Sequence, residues 1–481
     1  MRQTILVATL SALITAPVAG QAPTGVPRSA PPVFTEAFPP EEFAARRARL
    51  MTQIGDGVAI LQGAAEKPAE AAFRQNNQFF YLSGVETPRA ILVIDGLTKR
   101  STLYLAPGRE RAYGPMLGPN ADAPRITGME AVMHRDSFAI AARQFAGRVI
   151  YTTLRAEVTG SGSPGEATGF ARATKNDPWD GRSSREEAFV EKLKAAAPGA
   201  EIKELDPLID GLRAIKSPRE IEVIHEATRI AGLGIMEAMR EAKPGMREYE
   251  LQAPAEFVFK KHGAQGAAYF ALVATGTNTL YSHYHKGTAV LQDGDLVQFD
   301  YAPDYNYYVS DVTRVFPANG KFTPWQREYY TIYLRLYQSL LTSIKPNVAP
   351  REIIKVAAAK MDSVLTAYRF TDEKIKAAAT TFVNRYKNSN SNSLGHTVGL
   401  EVHDVRLGSD VLKPGHLFTI EPAMIIPDLH YGIRLEDVIL ITEAGYENLS
   451  AFVPVEIADI ERLMAQKGAG EALLPGPARK R

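Results

Sequence analysis

The chain has 481 residues, 45% hydrophobic and 23% charged, the proportions of a soluble globular protein two or three domains long. Lys and Arg number 55 against 54 Asp and Glu, so composition asks for neither nucleic acid nor an anionic membrane as partner. The absence of cysteine excludes disulfides, thiolate nucleophiles and Cys-based metal sites, which leaves His, Asp and Glu as metal ligands.

At the N-terminus Arg2 precedes an apolar run, Ile5 to Ile14, then Thr15-Ala16-Pro17-Val18-Ala19-Gly20, with Val18 and Gly20 at −3 and −1 before Gln21. This pattern predicts a cleavable signal over residues 1–20 and export to a periplasmic or extracellular space. The run is too short to span a bilayer, and no later stretch qualifies. Residues 21–40, rich in Pro and Ala, read as a mobile leader. Phe79-Phe80-Tyr81-Leu82, Ala90 to Ile94 and Thr102 to Leu105 read as short strands, and Glu186 to Ala197 as a helix, giving an N-terminal α/β domain over residues 41–200. Gly160-Ser161-Gly162-Ser163-Pro164-Gly165 formally matches G-x-G-x-x-G, but its internal proline and the lack of a clear following helix predict a flexible loop.

A second, α+β domain is predicted over residues 205–460. In Ser217-Pro218-Arg219-Glu220, Ser217 can cap, Pro218 takes the first helical position and Glu220 closes a capping box. Lys243-Pro244-Gly245 ends this helix before a second through Tyr249, Leu251 and Phe257. Strands are expected around Leu296 to Tyr301, Tyr307 to Phe316, Leu417 to Ile420 and Ile433 to Thr442, with one long helical block from Trp325 to about Tyr368. A disordered tail is expected over residues 468–481.

Within these strands four acids stand in apolar surroundings: Asp300 ends Leu296 to Phe299, Asp311 follows eleven residues on, Glu421 follows Leu417 to Ile420, and Glu436 lies in Ile433 to Val438. An unpaired buried carboxylate costs several kcal/mol, so each needs a charge partner or a metal. Singly, Asp300 could be a turn acid, Glu436 could pair with Arg434, and His403 could be a satisfied core histidine. Jointly, the acids with His396 and His403, which flank Gly399-Leu400-Glu401-Val402, suit a pair of divalent cations of the Mn²⁺, Co²⁺ or Zn²⁺ kind.

In order and context, Ala214-Ile215-Lys216-Ser217-Pro218-Arg219-Glu220, Asp293-Gly294-Asp295-Leu296-Val297, Ser310-Asp311-Val312-Thr313-Arg314, Gly395-His396-Thr397-Val398-Gly399-Leu400-Glu401-Val402-His403-Asp404, Glu421-Pro422 and Gly432-Ile433-Arg434-Leu435-Glu436-Asp437 resemble the Xaa-Pro aminopeptidase and prolidase branch of the pita-bread metallopeptidases. Gln75 to Gly84 is similar to a tract of that branch's non-catalytic N-terminal domain. The resemblance implies an N-terminal α/β domain before a pita-bread catalytic domain. It also implies two metal ions, with Asp300 chelating one, Asp311 and Glu436 bridging, and His396 with Glu421 completing the other.

Manganese is expected because four of the five ligands are carboxylates, with zinc or cobalt as alternatives. A water shared by the metals would attack the peptide carbonyl, with Glu421 moving the proton and His283 and His403 binding substrate and stabilising the tetrahedral intermediate. His283 is preferred to His285 because it lies 17 residues before Asp300, as in the family. Arg434 and Asn392 complete the expected substrate contacts. Asn392 occupies a position where the family commonly has histidine, and Ala302 stands where Asp-x-Gly is usual. The interval from Glu421 to Glu436, 15 residues, is short.

The expected partners are proline-containing peptides and further copies of the chain in a homodimer or homotetramer, with no nucleic acid and no membrane span. Cleavage before proline in peptides is the leading reading. A prolidase restricted to Xaa-Pro dipeptides and a catalytically impaired peptide-binding domain are the alternatives. A nucleophilic hydrolase has no support, because cysteine is absent and no G-x-S-x-G stands in a strand-to-helix context.

Overall fold

Short apolar runs broken by Gly, Pro and charge build the N-terminal sheet. In the computed structural model, which describes residues 37–66, 72–106, 117–158 and 160–470, this is a mixed six-stranded sheet. Its spatial order is 131–134, 100–105, 91–95, 58–62, 149–152 and 201–204. The last strand, Glu201–Glu204, pairs in parallel with Val149–Thr152, so the sheet ends just before the second domain begins. Phe43, Leu50 and Ile54 of the helix Pro40–Ile54 cover one face, and Phe138, Phe145 and Leu193 cover the other.

Three expectations are corrected here. Phe79 to Leu82 is not a strand but part of a helix, Asn77–Ser83, whose N-terminus is capped by the Asn76 side chain accepting from Phe79 N at 3.1 Å. Every residue of it is buried, so no periodicity marks it as helix. The glycine-rich segment does open a helix, Pro164–Asn176, because Pro164 sits at the first helical position, where its missing N–H costs nothing. The helical block after Trp325 is two helices, Pro324–Leu341 and Pro350–Ala367, separated where Pro346 and Asn347, at φ 61°, cannot continue the first. A third helix, Glu373–Lys387, follows.

The predicted signal and most of the leader lie outside the described residues, as do residues 471–481 of the tail. At the tail's start Gly470 N donates to Glu241 at 2.6 Å, and Ala469 N donates to Glu237. No helix among the described residues is long and apolar enough to cross a membrane.

The second domain is antiparallel. Strand Leu296–Asp300 lies between Leu272–Thr275 and Thr313–Pro317, and Asp437–Ile441 lies between Leu417–Ile420 and Tyr446–Asn448. An isolated bridge, Thr313 to Glu436, joins these two systems. Helix Pro218–Glu241, opened by the expected Ser217–Glu220 capping box, packs on one side, where Thr228 meets Ser310 at 2.9 Å. On the other side Tyr329, Tyr333 and Tyr337 of Pro324–Leu341 donate to Met424 O, Pro422 O and the Asp437 carboxylate. Behind the bridge the fully buried Arg314 donates to Asp437 Oδ1 and Glu436 O, both at 2.7 Å, and to Ser450 O. A buried guanidinium with this many acceptors fixes how the two strand systems meet.

Asn306 and Tyr307 both have positive φ, 51° and 71°, in the two-residue turn between Pro303–Tyr305 and Tyr308–Val309. A bulky residue in this region is strained. The Tyr307 ring stacks on Phe80 of the first domain at 3.7 Å, and its hydroxyl donates to Glu86 at 2.6 Å. Strain and cross-domain contact thus fall on one residue. Tyr307→Ala is expected to destabilise the protein by on the order of 3 kcal/mol, read from the urea midpoint; an unchanged midpoint would contradict the role of this wedge.

Candidate metal centre

Each expected ligand is delivered by a strand end or a tight turn. Asp300 closes its strand opposite Thr313, and Thr313 in turn bridges to Glu436, so Asp300, Thr313 and Glu436 form one row across the sheet. The short interval between Glu421 and Glu436 is a hairpin, Ala423–Ile426 with Tyr431–Arg434, in which Ala423 pairs with Arg434. The two glutamates stand symmetrically two residues outside that pair. His396 is set against strand Leu417–Ile420 by Thr419 N donating to His396 O at 2.7 Å. Gly395 makes this approach possible, since a Cβ there would lie 2.0 Å from Thr419 O.

His396 Nε2 is 3.2 Å from Glu421, 3.5 Å from Asp311 and 3.6 Å from Glu436. One ligand atom each from Asp311, His396 and Glu436 falls within 4.8 Å of the others. Asp300 joins through Tyr269, whose hydroxyl lies 2.6 Å from Asp300 Oδ1 and 2.7 Å from Asp311 Oδ1. The structure therefore gathers all five expected ligands. Burial, then the charges of Glu436 and Asp300, holds the Asp311 carboxyl well above the usual range. Burial with the charge of Glu421 pushes Glu436 up to about 6. For His396 burial disfavours the proton, but Glu421, Glu436 and Asp311 outweigh it and raise its affinity.

These residues fit cations. Glu436 Oε2 accepts from Thr313 at 2.7 Å, whereas Oε1 is buried with no hydrogen-bond partner, an arrangement that is costly unless a positive ion meets it. The donor set, four carboxylates and one imidazole, is that of a hard or borderline divalent metal.

His403 packs beside His396, ring centroids 4.1 Å apart, and burial with the His396 charge lowers its pKa to about 4. It is therefore a neutral imidazole at ordinary pH. His283 is exposed at the rim, and Arg434 donates to the carbonyl of Ser282 just before it. Arg434 itself is buried and paired with Asp300. Its guanidinium thus holds Asp300 and the loop bearing His283. His285 is exposed and packs on Phe270 at 4.5 Å. Asn392 is exposed in the turn held by Ser389, Ser391 and Ser393, and is not brought against the ligands by any hydrogen bond among the described residues.

Ala302 is buried and does not adopt positive φ, so glycine's freedom is not required there. Tyr269 and Thr313 are functional neighbours that sequence reasoning missed. Thr313 lies inside a quoted motif but carries no signal of its own, and Tyr269 precedes a strand without any polar pattern.

Residues 222–443 match the model of metallopeptidase family M24, and residues 43–150 match that of the aminopeptidase P N-terminal domain. The chain is 32% identical to the Xaa-Pro aminopeptidase of Escherichia coli over 453 residues, 88% of this chain and 97% of that one. The structure of Escherichia coli aminopeptidase P with the inhibitor Pro-Leu superposes with a TM-score of 0.70 at 29% identity, covering 89% of this chain and 98% of that one. Proline aminopeptidase P II of Yersinia pestis gives 0.70 at 30%, covering 89% and 100%. With its N-terminal α/β domain, pita-bread second domain and carboxylate-rich centre, this chain belongs to the Xaa-Pro aminopeptidase family of M24 metallopeptidases.

Proposed function

We propose that the chain hydrolyses the bond between the N-terminal residue and a following proline in peptides, and that Asp300, Asp311, His396, Glu421 and Glu436 hold the two metal ions this requires. The observation that carries the reading is the convergence of Asp311, His396 and Glu436, with Glu421 against His396 and Asp300 joined through Tyr269, around a buried Glu436 oxygen that has no hydrogen-bond partner. Divalent cations, when bound, supply Lewis acidity and lower the pKa of water toward neutrality. Glu421 has 29% of its side chain exposed, against 8% for Asp311, 3% for Asp300 and 1% for Glu436. It is the carboxylate open to the cleft, suited to take a proton from the attacking water and return it to the leaving nitrogen.

His403, neutral and beside His396, offers a ring N–H to the developing oxyanion. Tyr269, its phenol proton held firmly by burial and by the charges of Asp300 and Asp311, orients those two acids as a donor. His283, exposed on the loop that Arg434 holds, would meet the substrate backbone. Proline's imide has no N–H and a fixed φ, so a peptidase that grips that N–H cannot use such substrates. The breadth of the match, which includes the N-terminal domain, supports an aminopeptidase over a dipeptidase. Manganese is the metal we favour, from the four oxygen ligands.

The test is hydrolysis of Ala-Pro-Ala beside Ala-Pro and Ala-Ala-Ala with Mn²⁺, using the exported chain, whose mature form we expect to begin at Gln21. Only the tripeptide with proline should be cleaved, and Asp311→Ala should lower kcat/KM on the order of 10³-fold. Equal cleavage of Ala-Ala-Ala, or of the dipeptide alone, would overturn the specificity.

Metal uptake should also depend on pH. Asp311 and Glu436 hold protons above the usual carboxylate range, and a cation needs them ionised, so binding releases protons and affinity rises as pH increases from about 5 to 7. Calorimetric Mn²⁺ titration at pH 6 in two buffers of different ionisation enthalpy should show net proton release; identical heats would contradict it.

A further inference from the structure

His403 stands between two acids that the chemistry does not use. Glu401 and Asp404 each have 1% of their side chain exposed, and both are held by Arg213, at the end of helix Asp206–Ala214. Arg213 NH2 donates to Glu401 Oε2 at 2.6 Å and also to Asp404 Oδ1. Lys216 Nζ donates to Asp404 Oδ2 at 2.6 Å and to Arg213 O at 2.9 Å. From the N-terminal domain, Asn77 Nδ2 donates to Glu401 Oε1 at 3.0 Å, and Gln78 Oε1 accepts from Arg213 NH1 at 3.0 Å.

The backbone agrees with the charges. Val402 N donates to Ser161 O at 2.8 Å, Asp404 N to Thr397 O at 2.9 Å, and Thr397 Oγ1 to Val405 O at 2.7 Å. A Cβ on Gly399 would lie 2.0 Å from Asp404 Oδ2 and 2.9 Å from Lys216 Nζ, so the loop closes this tightly only with glycine there.

Two buried cations against two buried anions are a poor source of stability compared with apolar packing, because desolvation offsets most of the attraction. What such a cluster supplies is register. A guanidinium whose two terminal nitrogens are held by two carboxylates and an amide, with only its buried Nε left without a hydrogen-bond partner, has little freedom to shift, and displacing a reacting group by about 1 Å can cost on the order of a hundredfold in rate.

We propose that the Arg213–Glu401–Asp404–Lys216 cluster positions the His403 imidazole, and that through Asn77 and Gln78 the N-terminal domain takes part in placing it. The inference rests on His403 acting on the substrate, as set out above. Arg213 and Lys216 are then positioning residues, and the motif Ala214 to Glu220 serves the centre through Lys216 as well as opening a helix.

Arg213→Lys keeps the charge and loses the fork. In the metal-loaded enzyme it should lower kcat for Ala-Pro-Ala about tenfold with KM within about twofold and metal content unchanged. In a His403→Ala background the same change should cost less than about twofold, since the group it positions is gone. Equal losses in both backgrounds, or none in either, would overturn the proposal.

A readout without turnover separates this from failure of the peptidase reading. The chain has nine histidines, and in a histidine-selective ¹³C spectrum the His403 signal, assigned by its loss in His403→Ala, should shift or broaden in Arg213→Lys while exposed His134 holds still. A stationary His403 signal overturns the proposal whether or not the chain cleaves peptides. Asn77→Ala, a smaller change at the same cluster, should give the same signature at lower amplitude and serves if Arg213→Lys does not fold.

Discussion

Four carboxylates, three of them buried and Glu421 open to the cleft, crowd around the His396 imidazole, and their mutual repulsion is the constraint to which the rest of the structure answers. At a few ångströms, in a medium of low effective dielectric, such repulsion amounts to several kcal/mol per pair. The fold offsets it locally: Tyr269 touches both Asp300 and Asp311, Thr313 donates to Glu436, and Arg434 pairs with Asp300. The remaining deficit is concentrated at Glu436 Oε1 and in the raised proton affinities of Asp311 and Glu436. A centre built this way is a standing demand for cations.

Holding like charges together requires a frame that cannot relax. Arg314 provides it from behind, bonding Asp437, Ser450 O and the backbone of Glu436, while Tyr337 donates to the other oxygen of Asp437 at 2.6 Å. In front, the Ala423–Arg434 hairpin register fixes Glu421 against Glu436. The first domain contributes through Phe80 and Arg74 on Tyr307, and through Asn77 on Glu401. Its sheet is remote from the chemistry, yet its first short helix reaches the loop that bears His403.

Much of this was legible in the sequence where local rules apply. The Ser217–Glu220 capping box and the helix over Arg185–Ala196 follow from caps and spacing, and Asp300, Asp311, Glu421 and Glu436 stand out because acids in apolar strand contexts need a reason, whereas their grouping with His396 as a ligand set comes from the family resemblance. What was not legible depends on context. Phe79 to Leu82 is buried on all sides, so helix and strand predict the same apolar run; Pro164 looked like a breaker but sits where a helix can begin. Tyr269, Thr313 and the pairing of Arg434 with Asp300 arise only from the register of strands far apart in the chain. No spacing rule encodes that register.

The central claim is that these five side chains form a two-metal centre. Diffraction from crystals grown with Mn²⁺, recorded on both sides of the manganese absorption edge, tests it most directly. Two anomalous peaks about 3.5–4 Å apart, both in contact with Asp311 and Glu436, are the result this account predicts. A single peak, or none among Asp300, Asp311, His396, Glu421 and Glu436, would contradict it.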